Sequence, residues 1–197
     1  MNKKIEDLLE EFNGFIPLKI AKERGIHRDV LERLVREGKL EKEAPGYYIR
    51  YGKFVDEFYI LSQKYTKGIF SHETALYLYD YTDETPESSH MTFPKGYHHN
   101  QNFKDFAIRP HFSPKEKYSI GLSTTLTINQ NTVRVYDRER TLCDMWNPRY
   151  HPDTFTKIEA LKRYVKDPEK NLSNLSDYIQ VLGYGKELLG QIQLLLH

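Results

Sequence analysis

Glycine punctuates the first fifty residues at intervals that leave room only for short helices. Ile5, Leu8, Leu9 and Phe12 recur at helical spacing over 3–11, and Asn13-Gly14 stops that run. A second short helix follows from Phe15-Ile16-Pro17 to Arg24, with Pro17 acceptable in its first turn, where a missing N–H has no partner to lose. Gly25 can take the positive φ of a tight helix-to-helix turn, and Ile26 is an apolar wedge before a third helix over 27–37. Gly38 closes that helix, and Pro45-Gly46 turns the chain between two short stretches, as in a β-hairpin.

Three short helices followed by a hairpin is the layout of a winged helix-turn-helix, in which the third helix enters the major groove and the wing follows the backbone. The third helix carries Val30, Leu31 and Leu34 on one stripe and Arg28, Asp29, Glu32, Arg33 and Arg36 around the other side. Two carboxylates among three guanidinia make a mixed face, which a solvated amphipathic helix would also show. The order of parts favours DNA binding: the Gly25 turn, the Gly38 stop, and a hairpin bearing Lys39 and Lys42. The expected interface comprises Lys19, Lys22, His27, Arg28, Arg33, Arg36, Lys39 and Lys42, the arginines reading bases and the lysines holding phosphates. Charge is not supplied in bulk. The whole chain is +1, and within residues 1–50 eleven lysines and arginines stand against ten aspartates and glutamates. Affinity per copy is then modest, and a dimer or paired binding on repeated half-sites is expected.

The sequence divides into a DNA-binding domain over 1–52 and an α+β domain over 53–197 that ends in helices. A connecting helix over 51–67 contains Phe54, Val55, Phe58 and Leu61, and 68–70 is a short strand. Ser71 is placed as an N-cap with Glu73 in the first turn. Phe106 and Ile108 alternate up to Pro110 in an edge strand, and Leu122, Leu126 and Ile128 pair through Asn129-Gln130-Asn131 with Val133 and Val135. Apolar stripes at Phe155, Ile158 and Leu161, at Leu172, Leu175, Ile179 and Leu182, and at Leu188, Leu189, Ile192, Leu195 and Leu196 mark three terminal helices.

Several chemistries can be weighed and set aside. Ser71-His72-Glu73 is not a catalytic line, because neighbours on a helix point about 100° apart. Asp137, Glu139 and Asp144 at a strand-to-helix junction could serve a metal-dependent nuclease, but helix-dipole support and surface pairing with Arg138 and Arg140 account for them more simply. His98-His99 and His111 lack zinc-site spacing, and Cys143 reads as a small core residue. The single cysteine excludes an internal disulfide and any multi-cysteine metal site. There is no glycine-rich phosphate loop, no internal repeat and no apolar run long enough for a membrane. The start, Met1-Asn2-Lys3-Lys4-Ile5-Glu6-Asp7, turns acidic where a signal peptide would turn apolar, so a cytoplasmic protein is expected and the sequons at Asn171 and Asn174 carry no meaning. No cofactor or metal is expected.

Longer blocks carry a more specific likeness. Gly14-Phe15, Gly25-Ile26 with Leu31, Leu34 and Val35, Gly38-Lys39-Leu40, and Gly46-Tyr47-Tyr48 lie in the first domain. Residues 67–76, Lys67-Gly68-Ile69-Phe70-Ser71-His72-Glu73-Thr74-Ala75-Leu76, then 92–97 and 133–144 continue the pattern. In these blocks the chain resembles the AbiEi family of antitoxins from bacterial abortive-infection, type IV toxin–antitoxin systems. The resemblance implies a winged helix that represses its own operon by binding inverted repeats in promoter DNA. It also implies a C-terminal domain opposing a nucleotidyltransferase-type toxin from the same operon, without a stable toxin–antitoxin complex. Family wings often carry arginine before Gly-x-Tyr. This chain has Pro45 there, which shifts phosphate contact to Lys39 and Lys42. The expectation is a non-enzymatic autorepressor and antitoxin; the competing readings are a nuclease delivered by the winged helix and a regulator that senses a small ligand.

Overall fold

The computed structural model describes residues 2–53, 56–98, 103 and 107–196. Expectations that fall on Phe54, Val55, His99 and Phe106 lie outside the described residues. The fold is mixed α+β, with ten helices and two sheets among the described residues, and it divides into two compact units, Met1–Gln63 and Lys64–His197. No helix among the described residues is long and apolar enough to cross a membrane.

The first unit opens with α1 (Lys3–Glu11), whose first turn is capped by the Asn2 side chain accepting from Lys4 N–H. Asn13 and Gly14, at φ 50° and 90°, turn the chain. Phe15-Ile16-Pro17 leads into the second helix as expected and is itself a strand: all three residues are buried and form β1 (Phe15–Pro17). Pro17 lies at the N-cap of α2 (Leu18–Glu23) rather than inside it. Helix α3 (Arg28–Arg36) ends on Glu37, and the turn beyond it closes with two bonds, Gly38 N–H to Val35 C=O at 3.0 Å and Lys39 N–H to Leu34 C=O at 2.9 Å. This paired closure needs a left-handed residue at its centre, which Gly38 supplies at φ 66°.

The hairpin forms as the Pro-Gly turn predicts, with β2 (Leu40–Ala44) paired to β3 (Tyr47–Arg50) and a register shift between Lys42 and Ala44. Strand β1 adds antiparallel to β3, giving the order β1-β3-β2. The Gly46 carbonyl accepts from Leu18 N–H at 2.8 Å, so the hairpin turn caps α2. Ile5, Leu8, Leu9, Ile16, Ala21, Ile26, Leu31, Leu34, Leu40 and Tyr48 form one buried cluster. A fully buried leucine contributes about 1.5–3 kcal/mol, so Leu31 and Leu34 pin α3 firmly. Helix α4 (Glu57–Lys64) puts Ile60 against Phe15 and Ile49, with the Tyr59 ring edge-on to Phe15. The first unit therefore runs to 63, where the sequence had suggested 52.

The second unit holds a mixed five-stranded sheet in the order β6-β5-β4-β8-β7. Its strands are β4 (Ile69–Phe70), β5 (Ser89–Pro94), β6 (Ile108–Ser113), β7 (Leu122–Leu126) and β8 (Thr132–Tyr136). Parallel pairs join β4 to β8 and β5 to β6, while β4–β5 and β7–β8 are antiparallel. Helix α5 (His72–Leu78) leaves β4 and α7 (Arg138–Met145) leaves β8, and the short α6 (Lys115–Tyr118) follows β6. Helices α8 (Thr154–Lys166), α9 (Leu172–Leu182) and α10 (Glu187–Leu196) complete the chain.

Leu142, Met145 and Trp146 meet Tyr164, Leu175, Ile179, Leu182, Leu188 and Ile192 in the main core. The stripe assigned to α8 is displaced. Phe155 and Ile158 face solvent, and Thr156, Ala160, Leu161, Tyr164 and Val165 face inward. On β7 the apolar Leu122 and Leu126 are likewise exposed, while Val133 and Val135 across the pair are buried. In α10 Leu188 and Ile192 enter the core, and Leu195 and Leu196 stay exposed. Cys143 is a core residue as expected, its thiol pushed up to about 12 by burial.

Arg140 is no surface partner, and Arg138, which is partly exposed, pairs with Asp167 and Glu169 rather than with its helix neighbours. Arg140 is 2% exposed and bonds both Asp144 oxygens through Nε at 3.1 Å, while its Nη1 donates to the Lys117 and Ile120 carbonyls. Arg138 lies over the Tyr79 ring and pairs with Asp167. Gly121 makes room for the first turn of α7, which carries that arginine. At φ 73°, an added Cβ would stand 2.4 Å from Arg140 Cβ and 3.0 Å from Asp137 Oδ1.

Candidate functional site

All eight residues expected at a DNA interface are exposed, on α2, the N-cap of α3, α3 itself, the turn after it, and β2. Burial of Leu31 and Leu34 turns the polar side of α3 outward, and the Gly38 closure brings β2 back alongside the helix. Two carboxylates organise the cations. Glu32 Oε1 accepts from Tyr48 Oη at 2.8 Å, Arg28 Nε at 3.2 Å and Lys42 Nζ at 3.5 Å. Glu37 takes Lys39 at 2.7 Å and lies 3.7 Å from Arg33 Nε. The Tyr48 hydroxyl, then Arg28 and Lys42, hold the Glu32 carboxyl below its ordinary range. Lys19, Lys22, His27 and Arg36 form no ion pair among the described residues. The structure thus gathers Arg28 with Lys42, and Arg33 with Lys39, through acidic bridges that the sequence showed only as a mixed face.

The three carboxylates weighed for nuclease chemistry do not converge on a common point. Asp137 caps α7 by accepting from Arg140 N–H and also accepts from Tyr178 Oη. Glu139 lies in the first turn of α7, as the helix-dipole reading has it, and is buried, bonded to Tyr164 Oη and Asn171 N–H. Asp144 is bonded to Arg140 and Tyr184.

A second site joins residues that the sequence offered only apart, Ser71-His72-Glu73 and His111, to His90 and Tyr150, which it did not single out. Where the chain passes from β4 into α5, Ser71 occupies the N-cap position without capping. Its hydroxyl instead accepts from Thr92 Oγ1 at 2.8 Å and lies 3.0 Å from His72 Nδ1. His72 itself is at φ 52°, a left-handed conformation that costs a non-glycine residue of order 1–3 kcal/mol and persists where the surroundings enforce it. Its ring stacks on His111 of β6, centroids 3.7 Å apart, with His90 of β5 beside both. Tyr150 closes the group edge-on to His72.

His90 Nδ1 is the hub. It stands 3.0 Å from Glu73 Oε2 and 3.3 Å from both Tyr150 Oη and His111 Nε2. The Tyr150 hydroxyl donates to the same Glu73 carboxylate. Burial, then the neighbouring imidazoles, hold His72 well below its ordinary range, and burial with His90 and Arg109 pushes His111 down to about 4. Burial pushes Glu73 up, and the bonds from His90 and Tyr150 outweigh it, leaving the carboxyl below its ordinary value. His72 and His111 line a cavity of about 540 Å³ whose wall also includes Lys117, Arg140, Arg149 and Tyr150. The sequence signals for these residues are weak because β-pairing, not local spacing, brings them together: the end of β4 sets Ser71 beside His90, and parallel β5–β6 sets His111 opposite Thr92, two residues along β5 from His90.

No family model and no curated protein matches the chain. Among solved structures it is similar to the crystal structure of the Rv2827c protein from Mycobacterium tuberculosis. That likeness has a TM-score of 0.64 at 13% identity and covers 98% of this chain and 75% of that chain. It bears on the fold alone.

Proposed function

We propose that this chain is a DNA-binding autorepressor and antitoxin whose first unit is a winged helix-turn-helix. In this reading α3 enters the major groove with Arg28, Arg33 and Arg36, and the β2–β3 hairpin runs along the backbone with Lys39 and Lys42. Lys19, Lys22 and His27 flank the groove. The carrying observation is that α3 is held by Leu31 and Leu34 with every one of these cations in solvent. The resemblance to AbiEi antitoxins supplies the rest: inverted promoter repeats bound by paired copies, and a second unit opposing a nucleotidyltransferase-type toxin in the cytoplasm without a stable complex.

Titration of duplex DNA from immediately upstream of the gene, read by gel shift at several salt concentrations, tests the reading. Specific retardation that weakens linearly in log–log salt is expected, and indifference between this DNA and an unrelated duplex would sink it. Glu32 adds a sharper expectation. It draws Arg28 and Lys42 back toward the protein, so Glu32→Gln should tighten DNA binding and steepen the salt slope by about 1–2 charges. Unchanged affinity and slope would show that neither cation reaches DNA. Antitoxin action is read separately, as restored growth when the full chain is co-expressed with the toxin.

A further inference from the structure

The three imidazoles of the second unit take no part in the DNA-binding reading of the first. We propose that His72, His90 and His111 bind one divalent transition-metal ion of the zinc class, supported by the Glu73 carboxylate, at the floor of the adjoining cavity. The three candidate nitrogens lie within 4.8 Å of one another. Bonds of about 2.0–2.1 Å to a tetrahedral ion place ligand atoms roughly 3.4 Å apart. His90 Nδ1 and His111 Nε2 already stand at 3.3 Å, and ligation by the third ring requires His72 to turn out of its near-parallel stack on His111 so that its lone pair meets the same ion. Imidazole selects zinc, copper, nickel and cobalt over magnesium or calcium.

Glu73 stands at the same edge of His90: its Oε2 lies 3.0 Å from Nδ1, the nitrogen that faces His111, so the carboxylate is placed to supply an oxygen to the ion and is held there by Tyr150. The left-handed backbone of His72 directs its ring onto His111, and this strain has a use if the ring is a ligand. Because His72 and His111 also line the cavity, an ion held by them keeps a coordination position open toward it. A bound ion would tie the β4–α5 turn to β5 and β6.

The test uses the purified full chain, stripped with chelator and titrated with Zn²⁺ by calorimetry and with Co²⁺ by visible absorption. One ion per chain is expected, with a d–d band of the intensity of a four- or five-coordinate centre and a raised melting temperature. His90→Gln and His111→Gln should each remove stoichiometric binding. His72→Asn should do the same while keeping a residue that tolerates positive φ, so a folded far-UV spectrum with no binding separates lost ligation from misfolding. Glu73→Gln, which removes the carboxylate charge beside the ion, should weaken its binding at least about tenfold. His98→Ala, at an exposed histidine, should bind as the wild type does. Absence of one-to-one binding, or its survival in folded His90→Gln and His111→Gln proteins, would overturn the proposal.

Discussion

Arg140→Met should destabilise the second unit by about 3–5 kcal/mol, the scale for a buried ion pair that loses one partner. Asp144 would stay buried with only the Tyr184 hydroxyl at 2.8 Å, and the Lys117 and Ile120 carbonyls would lose their shared donor. The lost guanidinium also covers the Tyr136 ring at 4.3 Å. Urea unfolding followed by fluorescence isolates the effect, because the sole tryptophan, Trp146, lies in this unit's core. The double change Arg140→Met, Asp144→Leu removes both charges and should recover much of the loss, since an apolar pair of similar volume is often neutral or better. A single-variant loss below about 1 kcal/mol would show that the pair is solvated in solution, against its 3% side-chain exposures.

The second large effect falls on DNA binding. Arg28→Ala with Arg36→Ala should weaken binding to the gene's upstream DNA by about 1–3 kcal/mol for each arginine, and relax the preference for that sequence over an unrelated duplex. Lys39→Ala should instead weaken all sequences alike and lower the salt slope by about one. The contrast matters because Lys39 and Arg33 share Glu37, whereas Arg36 has no acidic partner among the described residues. Equal binding by the double-arginine variant and the wild type would remove α3 from the interface, whatever the fold of the first unit.

What could be foreseen from the sequence was local. Helices α1 and α3 and the β2–β3 hairpin are set by periods and stops that act within ten residues, and Asn13-Gly14, Gly25, Gly38 and Pro45-Gly46 mark them. Strand β1 escaped because three residues carry no period, and Pro17 resembles a helix starter until β3 is seen to pair with it. Phe155 and Ile158 misled for a related reason: an apolar triplet at helical spacing defines a face, but the core chose the neighbouring one, with Tyr164 and Ala160. Arg140 and Glu139 defied their residue types, since a buried charge is recognisable only through the partners that surround it. The histidine cluster lay furthest from view. Its members come from a helix start and two strands, and they meet only through the strand order β6-β5-β4.

Gly121 has a historical consequence for the turn into α7. An added Cβ there would stand 2.4 Å from Arg140 Cβ. Every residue but glycine carries that atom, so no trimming of the side chain at 140 opens a place at 121, and φ 73° disfavours one as well. Among descendants of this fold, position 121 should therefore stay glycine even where the guanidinium at 140 and its carboxylate partner at 144 have both been exchanged.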